Sequence, residues 1–117
     1  MATKDPREPF TRISVQEAKE KLDKGEAVMV DVRDPGEYAE VHATGVRLIP
    51  VNTVMTQVDQ IREFAGDKEV LFICKSGQRS ALAAEFATAA GLDGVEFYNV
   101  EGGTIAWVDA GYPTGDE

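Results

Sequence analysis

The chain has 117 residues, of which 43% are hydrophobic and 28% charged, a composition typical of a single globular domain. Twelve basic and twenty-one acidic side chains give a net charge of −9, which argues against a surface for nucleic acid or anionic membrane. The single cysteine, Cys74, excludes an internal disulfide. With only one histidine, His42, the chain also falls short of the four ligands of a usual structural metal site. We therefore expect no metal, no nucleic-acid partner and no membrane contact.

The two ends of the chain differ in composition from its middle. Residues 1–9 and 113–117 are rich in Pro, Gly and charged residues, so we predict loose ends around a core of about residues 10–113 in a single domain spanning 1–117. No apolar run is long enough to cross a membrane, and the N-terminal residues lack the apolar segment of a secretory signal. The expected compartment is the cytoplasm.

The first half of the chain predicts short helices and strands in alternation. Ser14, with a glutamate three residues later, is a capping-box pattern that predicts the start of a helix. Residues 27–32 form an apolar run that ends in charge, which is typical of a buried strand, and residues 46–50 predict a weaker strand. Asn52 is expected to cap a helix over about residues 53–64, because apolar side chains recur there at helical spacing.

The second half continues the alternation. Residues 70–73 (Val-Leu-Phe-Ile) are the most strand-like run, residues 80–90 an Ala-rich helix, residues 95–100 a further strand and residues 104–110 a short helix. This order predicts an α/β fold of three layers, with a mainly parallel central sheet and helices on both faces. Ligands of such sheets bind beyond the carboxyl ends of the strands, and Cys74 follows one such end.

The segment between the strand 70–73 and the Ala-rich helix carries the strongest chemical signal; it reads Cys74-Lys75-Ser76-Gly77-Gln78-Arg79-Ser80. A tight loop that enters a helix points successive backbone N–H groups inward and forms an anion nest. The positive end of the helix, together with Lys75 and Arg79, adds positive potential, and Gly77 allows the bend. These features favour a thiolate, so we expect Cys74 to titrate well below ~8.5.

The alternative interpretation of Cys74 is an inert thiol buried at an ordinary turn. No histidine adjoins the cysteine, so a Cys–His pair of the protease type is not expected. His42 is interpreted as a structural hydrogen-bonding residue, and Trp107 and Tyr98 as packing residues.

Asp31 and Arg33 sit at the carboxyl end of the strand predicted over residues 27–32, the edge where Cys74 should lie, so we count them as supporting residues of the site. Arg33 either has a functional role, in which it adds positive potential or orders the loop, or forms a structural ion pair with Glu37 or another acid. The structural pair is slightly favoured.

Three blocks of the sequence, in order and from about Ile13 to Pro113, resemble the rhodanese family. The first is Asp31-Val32-Arg33-Asp34-Pro35-Gly36-Glu37-Tyr38 followed by His42 and Gly45, the second is the Cys74 loop with Arg79-Ser80, and the third is Glu101-Gly102-Gly103 with Trp107 and Gly111-Tyr112-Pro113. Val41 and Ala43 stand where the family usually has Gly and Ile, which puts the local turn in question.

The resemblance implies a rhodanese-like fold and a sulfurtransferase whose catalytic residue is Cys74. Cys74 would take the outer sulfur of a donor such as thiosulfate, hold it as a persulfide without any other cofactor, and pass it to cyanide or a thiol; a protein sulfur acceptor is a further partner. The implied substrate-binding residues are those that follow in the loop, namely Lys75, Ser76, Gly77, Gln78, Arg79 and Ser80. Lys75 is expected either to meet the sulfonate of thiosulfate or to be a solvated loop lysine.

Two alternatives differ from this function. An intact Cys74 loop argues against a degenerate regulatory module, but a sulfur-relay or docking module stays open. A phosphatase or arsenate reductase is the weaker interpretation, because related phosphatases have a His before the cysteine and one more residue before the arginine. Here Ile73 precedes Cys74, and Cys74 through Arg79 is six residues.

Overall fold

The centre of the molecule is one sheet, and the computed structural model describes residues 2–115. Its strands are β1 (Thr3–Lys4), β2 (Thr11–Ile13), β3 (Ala27–Asp31), β4 (Arg47–Leu48), β5 (Glu69–Ile73) and β6 (Phe97–Val100). They are arranged in the order β1-β2-β6-β5-β3-β4, and every neighbouring pair is parallel except β1 with β2. The predicted mainly parallel sheet is confirmed.

Helices cover both faces of this sheet, and they are α1 (Val15–Asp23), α2 (Pro35–Glu40), α3 (Val58–Ala65), α4 (Gln78–Ala89) and α5 (Gly103–Asp109). Side chains of α3 and α4 share one hydrophobic cluster with the sheet, and side chains of α1 and α5 share the other. The three predicted layers are therefore present. Between residues 2 and 115, no helix is long and apolar enough to cross a membrane.

Strand β5 shows why this sheet needs two covering layers. Val70, Phe72 and Cys74 belong to the cluster under α3 and α4, whereas Leu71 and Ile73 belong to the cluster under α1 and α5. Successive strand side chains point to opposite faces, so a strand covered on both sides is apolar at every position. The same alternation directs Cys74, the residue just beyond the strand, to the face where α4 begins.

The helix predicted over residues 53–64 with Asn52 as its cap is wrong in its first half. Val51–Thr56 form a 3₁₀ helix, and α3 begins only at Val58. The hydroxyl groups of Thr53 and Thr56 each donate to the carbonyl three residues earlier, at 2.8 and 3.0 Å, which suits the tighter helix. The weaker strand predicted over 46–50 is reduced to the two residues of β4.

Parts of the predicted loose ends are ordered. Strand β1 pairs antiparallel with β2, which the sequence did not predict, because a sheet edge offers unpaired backbone groups to any nearby extended segment. At the other end, Thr114 forms an antiparallel bridge with Ala43. Residues 1, 116 and 117 of the predicted loose ends lie outside the described part of the chain.

The turn into α5 brings the chain against the Cys74 loop. Gly103 has a φ of +57°, and a Cβ built there would lie 2.5 Å from the carbonyl oxygens of both Cys74 and Lys75. The next residue, Thr104, donates its backbone N–H to the Cys74 carbonyl at 2.8 Å. Only glycine allows both the left-handed backbone and this close approach.

We predict that Gly103→Ala lowers the free energy of unfolding by about 2–4 kcal/mol, from the left-handed backbone together with the overlap against the loop. Denaturant unfolding measures the change as a shift in midpoint. Gly36→Ala is the matched control, because nothing lies within 4 Å of a Cβ at that exposed helical position. It should change stability by less than about 0.5 kcal/mol. Equal losses in the two variants would contradict the assigned contact.

Candidate active site

Cys74 follows β5 directly at the carboxyl edge of the sheet and is 1% exposed. The chain then turns and enters α4 at Gln78. Gly77 makes the turn possible, because its φ of +116° is a backbone conformation that other residues rarely adopt. The structure therefore places the sulfur at the start of a helix and at the end of a central strand, where an anion is stabilised by the helix dipole.

Hydrogen-bond donors of the loop point at the sulfur. The Gly77 N–H donates to Sγ at 3.0 Å, and the Ser80 hydroxyl oxygen lies 3.5 Å from Sγ. Burial by itself raises the pKa of the Cys74 thiol. The Ser80 side chain and the N–H groups of Ser80, Gly77 and Ser76 outweigh that effect, and the net pKa lies below the ordinary value. The direction agrees with the expectation from the sequence.

Among the loop residues predicted to bind substrate, the side chains of Lys75, Ser76 and Gln78 are exposed to solvent. Lys75 borders a groove of about 390 Å³ that lies between α2 and α5. In the described part of the chain Lys75 forms no ion pair, so its ammonium group is available to an anion that enters the groove.

Arg79 forms an ion pair with an acid of α2. Its two terminal nitrogens donate to the two carboxylate oxygens of Glu37, at 2.6 and 2.9 Å. Arg79 therefore adds its charge near Cys74 as one half of an ion pair. It ties the first turn of α4 to α2, and its hydrogen bond is the main reason that the pKa of Glu37 is lowered to about 2.

Asp31 and Arg33 form a buried ion pair, with side chains that are 0% and 4% exposed. The pair has the structural role that the sequence favoured, but the acid is Asp31 and not the suggested Glu37. Arg33 also donates to the Val41 carbonyl at 2.6 Å, which fastens the end of α2. Val41 has an extended backbone, with φ of −164°, so the absence of the family's usual glycine does not disturb this turn. His42 donates from Nδ1 to the Tyr38 carbonyl at 2.8 Å.

Sequence reasoning missed Asn99 and Thr104. Asn99 accepts the Ser80 hydroxyl hydrogen at Oδ1 and donates from Nδ2 to the Gly77 carbonyl at 3.0 Å. Thr104 donates its hydroxyl to the Cys74 carbonyl at 3.0 Å. Asn99 did leave a signal, because a lone amide in an otherwise buried strand must find hydrogen-bond partners.

Residues 2–115 contain no group of three or more His, Cys, Asp and Glu side chains placed to hold a metal ion. The polar groups at the Cys74 sulfur include the Gly77 N–H and the Ser80 hydroxyl.

We predict that Glu37→Gln destabilises the protein by about 1 kcal/mol at neutral pH, because it removes a partly exposed bidentate ion pair. The folded pKa of Glu37 is depressed, so its contribution is complete above the ordinary value of 4.5 and is lost as the pH falls towards about 2. The free energy of unfolding, measured over this pH range, should fall less steeply with decreasing pH in the variant than in the unaltered protein. Glu63→Gln, which alters an exposed glutamate of α3 that forms no ion pair within residues 2–115, should leave the dependence unchanged. A Glu37→Gln curve parallel to that of the unaltered protein would refute the pairing.

The chain matches the model of the rhodanese-like domain over residues 14–110. A rhodanese-like domain protein from Staphylococcus aureus is 33% identical, with 91% of this chain and 92% of that chain covered and a TM-score of 0.66. A protein of unknown function from Rhodopseudomonas palustris, described as a possible tyrosine phosphatase, is 32% identical over 89% of this chain and 83% of that chain, with a TM-score of 0.75.

The human single-domain sulfurtransferase TSTD1 is 24% identical over 86% of this chain and 96% of that chain, with a TM-score of 0.68, and this likeness shows the fold. The family match covers most of the chain, including β3, the Cys74 loop and the turn into α5. The chain belongs to the rhodanese-like domain family.

Proposed function

We propose that the protein is a sulfurtransferase that moves a sulfane sulfur from a donor such as thiosulfate to cyanide or a thiol, with Cys74 as the carrier. The observation that carries the proposal is the Gly77 N–H directed at the Cys74 sulfur at 3.0 Å, within a loop that enters a helix. A sulfur held in this way is ionised more readily than a free thiol, and the thiolate is the nucleophilic form. The sulfurtransferase name of the human relative supports the same assignment.

The reaction proceeds in two displacements at sulfur. The Cys74 thiolate attacks the outer sulfur of thiosulfate, the sulfur–sulfur bond of the donor breaks, and sulfite leaves with the bonding electron pair. The persulfide on Cys74 then gives its outer sulfur to cyanide, which becomes thiocyanate, and the Cys74 thiolate is restored. Inward N–H groups of the loop stabilise the anionic sulfur at each stage. A thiol acceptor, small or on a protein, would take the outer sulfur in the same way and become a persulfide itself.

Donor entry is assigned to Lys75 and the adjoining groove. Thiosulfate is a dianion and the protein carries a net charge of −9, so long-range attraction is unfavourable. The cationic groups nearest to the loop are mostly paired: Arg79 with Glu37, and Arg33 with Asp31. Lys75 forms no such pair among the described residues and borders the groove, which makes it the best candidate for the sulfonate of the donor.

A phosphatase is the weaker candidate, despite the description of the Rhodopseudomonas protein. Hydrolysis of a phosphate ester at a cysteine loop needs an arginine that grips the phosphate oxygens, and the Arg79 guanidinium is bound by both oxygens of Glu37. The six residues from Cys74 to Arg79 also form a shorter loop than that of related phosphatases. A sulfur-relay module uses the same Cys74 persulfide and differs only in its acceptor.

We predict that incubation with thiosulfate adds one sulfur, about 32 Da, to the intact protein, because the loop activates Cys74 as a nucleophile. Intact-mass spectrometry follows the adduct, and cyanide should remove it with release of thiocyanate. Cys74→Ser is the control and should gain no mass. An adduct in that variant would place the carrier elsewhere. Hydrolysis of p-nitrophenyl phosphate by a protein that forms no adduct would favour the phosphatase.

We predict that Lys75→Ala raises the KM for thiosulfate by several-fold to about tenfold, the loss expected for a partly exposed charge contact. The cyanide half-reaction should change less, since sulfite has already left. Lys68→Ala is the matched control: it removes the same charge just before β5, at the opposite edge of the sheet, and should leave the KM unaltered. Steady-state kinetics with each substrate varied separately measure both effects. Equal changes in the two lysine variants would mean that net charge, and not contact with Lys75, governs donor binding.

A further inference from the structure

Behind the Cys74 sulfur lies a buried polar pair that the proposed chemistry does not use. Ser80, in the first turn of α4, and Asn99, in β6, are both 0% exposed. The Ser80 hydroxyl lies between the Asn99 side chain on one side and the Cys74 sulfur on the other. A buried polar group must satisfy its hydrogen bonds within the protein, so the donors and acceptors of this pair can be counted.

The orientation of the Asn99 amide follows from the Gly77 carbonyl. A carbonyl oxygen only accepts, so the group that faces it at 3.0 Å is the amide nitrogen Nδ2. The amide oxygen Oδ1 therefore faces Ser80 and needs a donor. The Ser80 hydroxyl is the donor that the structure supplies.

Ser80 has one hydroxyl hydrogen and two neighbours that can accept it. While the hydrogen is on the Asn99 side, Ser80 presents only lone pairs to the sulfur. This arrangement suits a neutral thiol, whose S–H can donate to the Ser80 oxygen across 3.5 Å. It does not suit a thiolate, because a lone pair then faces a negative charge. When Cys74 ionises, the Ser80 hydrogen must rotate towards sulfur, and the Asn99 oxygen loses its donor in a buried place.

We propose that Asn99 is a positioning residue that regulates the ionisation of Cys74 by competing with the sulfur for the Ser80 hydroxyl hydrogen. In the thiol state the chain of donors runs from Cys74 to Ser80 to Asn99. In the thiolate state it is reversed at Ser80, which then donates to sulfur. Asn99 thus keeps the thiol less acidic than the loop alone would make it.

The competition bears on sulfur transfer, and in this respect the inference rests on the proposed function. Thiolates of higher pKa are intrinsically better nucleophiles, so Asn99 keeps the attacking sulfur reactive once it is ionised. In the persulfide the Cys74 sulfur is bonded to the outer sulfur and carries less charge. The Ser80 hydrogen can then return to Asn99, which favours the loaded state over the free thiolate.

Charged groups around the Cys74 loop must be held constant in the test. They are Lys75 and Arg79 on the loop and α4, Glu37 on α2, Glu101 after β6, whose carboxylate faces Gly77, and the Asp31–Arg33 pair after β3. Substitutions at Asn99 and Ser80 by uncharged residues alter none of these charges. Their contributions therefore cancel when the variants are compared with one another.

The test is a double-mutant cycle with Asn99→Leu, Ser80→Ala and both substitutions together. The rate of alkylation by iodoacetamide against pH gives the thiol pKa of each protein. We expect Asn99→Leu to lower the pKa by about one unit, equivalent to ~1.4 kcal/mol, because the Ser80 hydrogen is then free for the thiolate. In the Ser80→Ala background the same substitution should not lower the pKa, because no hydroxyl remains to be shared. The loss of the Asn99 bond to the Gly77 carbonyl is common to both backgrounds and cancels in the cycle.

Three results would overturn the proposal: an equal pKa shift from Asn99→Leu in both backgrounds, no shift in either, or a rise in the presence of Ser80. Circular dichroism and thermal unfolding check that each variant is folded. If leucine prevents folding, Asn99→Val is used instead in both backgrounds. Valine also removes the acceptor, and its side chain suits a strand. Alkylation needs no sulfur donor, so a protein that fails to form the persulfide can still confirm or refute the role of Asn99.

Discussion

The carbonyl oxygens of Cys74 and Lys75 lie so close to Gly103 that no side chain fits between α5 and the loop. This contact sets the position of the backbone that carries Cys74, and the Cys74 carbonyl is further held by both the N–H and the hydroxyl of Thr104. Asn99 holds the loop at a second place, the Gly77 carbonyl. With its carbonyl groups bound from outside, the loop is left with its N–H groups facing inward. The N–H groups of the loop are therefore oriented before any ligand arrives, as the proposed stabilisation of an anionic sulfur requires.

Burial of the Cys74 sulfur opposes its ionisation, and the structure offsets this with short-range dipoles more than with net charge. The N–H groups around Sγ lower the pKa, while the nearest arginines are bound to carboxylates of α2 and β3. Paired arginines contribute rigidity, because a bidentate pair fixes the orientation of both side chains. A protein with a net charge of −9 can hold an anionic sulfur in this way for two reasons. The dipoles touch the sulfur and act over a few ångströms, whereas the surface charges are distant and are screened by solvent and salt.

Much of this architecture could be predicted from the sequence, because burial leaves a strong pattern. The run 70–73 is apolar at every position since both of its faces are covered, and it placed Cys74 at the edge of the sheet. The link between Ser80 and Asn99 could not be predicted, because it depends on the register of β6 beside β5, which apolar periodicity does not specify. The ion pair of Glu37 with Arg79 joins residues far apart in the chain. A charge pattern alone does not indicate whether Arg33 or Arg79 is the arginine that pairs with Glu37.

The segment after α5 connects α5 to the turn that follows α2, although its composition is typical of a loose end. The Pro113 carbonyl accepts from the Trp107 indole and from the Thr44 N–H, and the Gly115 N–H donates to the His42 carbonyl. These bonds fasten the end of α5 to the turn that follows α2, and α2 and α5 are the walls of the groove beside Lys75. These hydrogen bonds therefore fix the distance between α2 and α5, and with it the width of the groove. A chain shortened before Pro113 would retain the cysteine loop but lose the bonds that fix the spacing of α2 and α5.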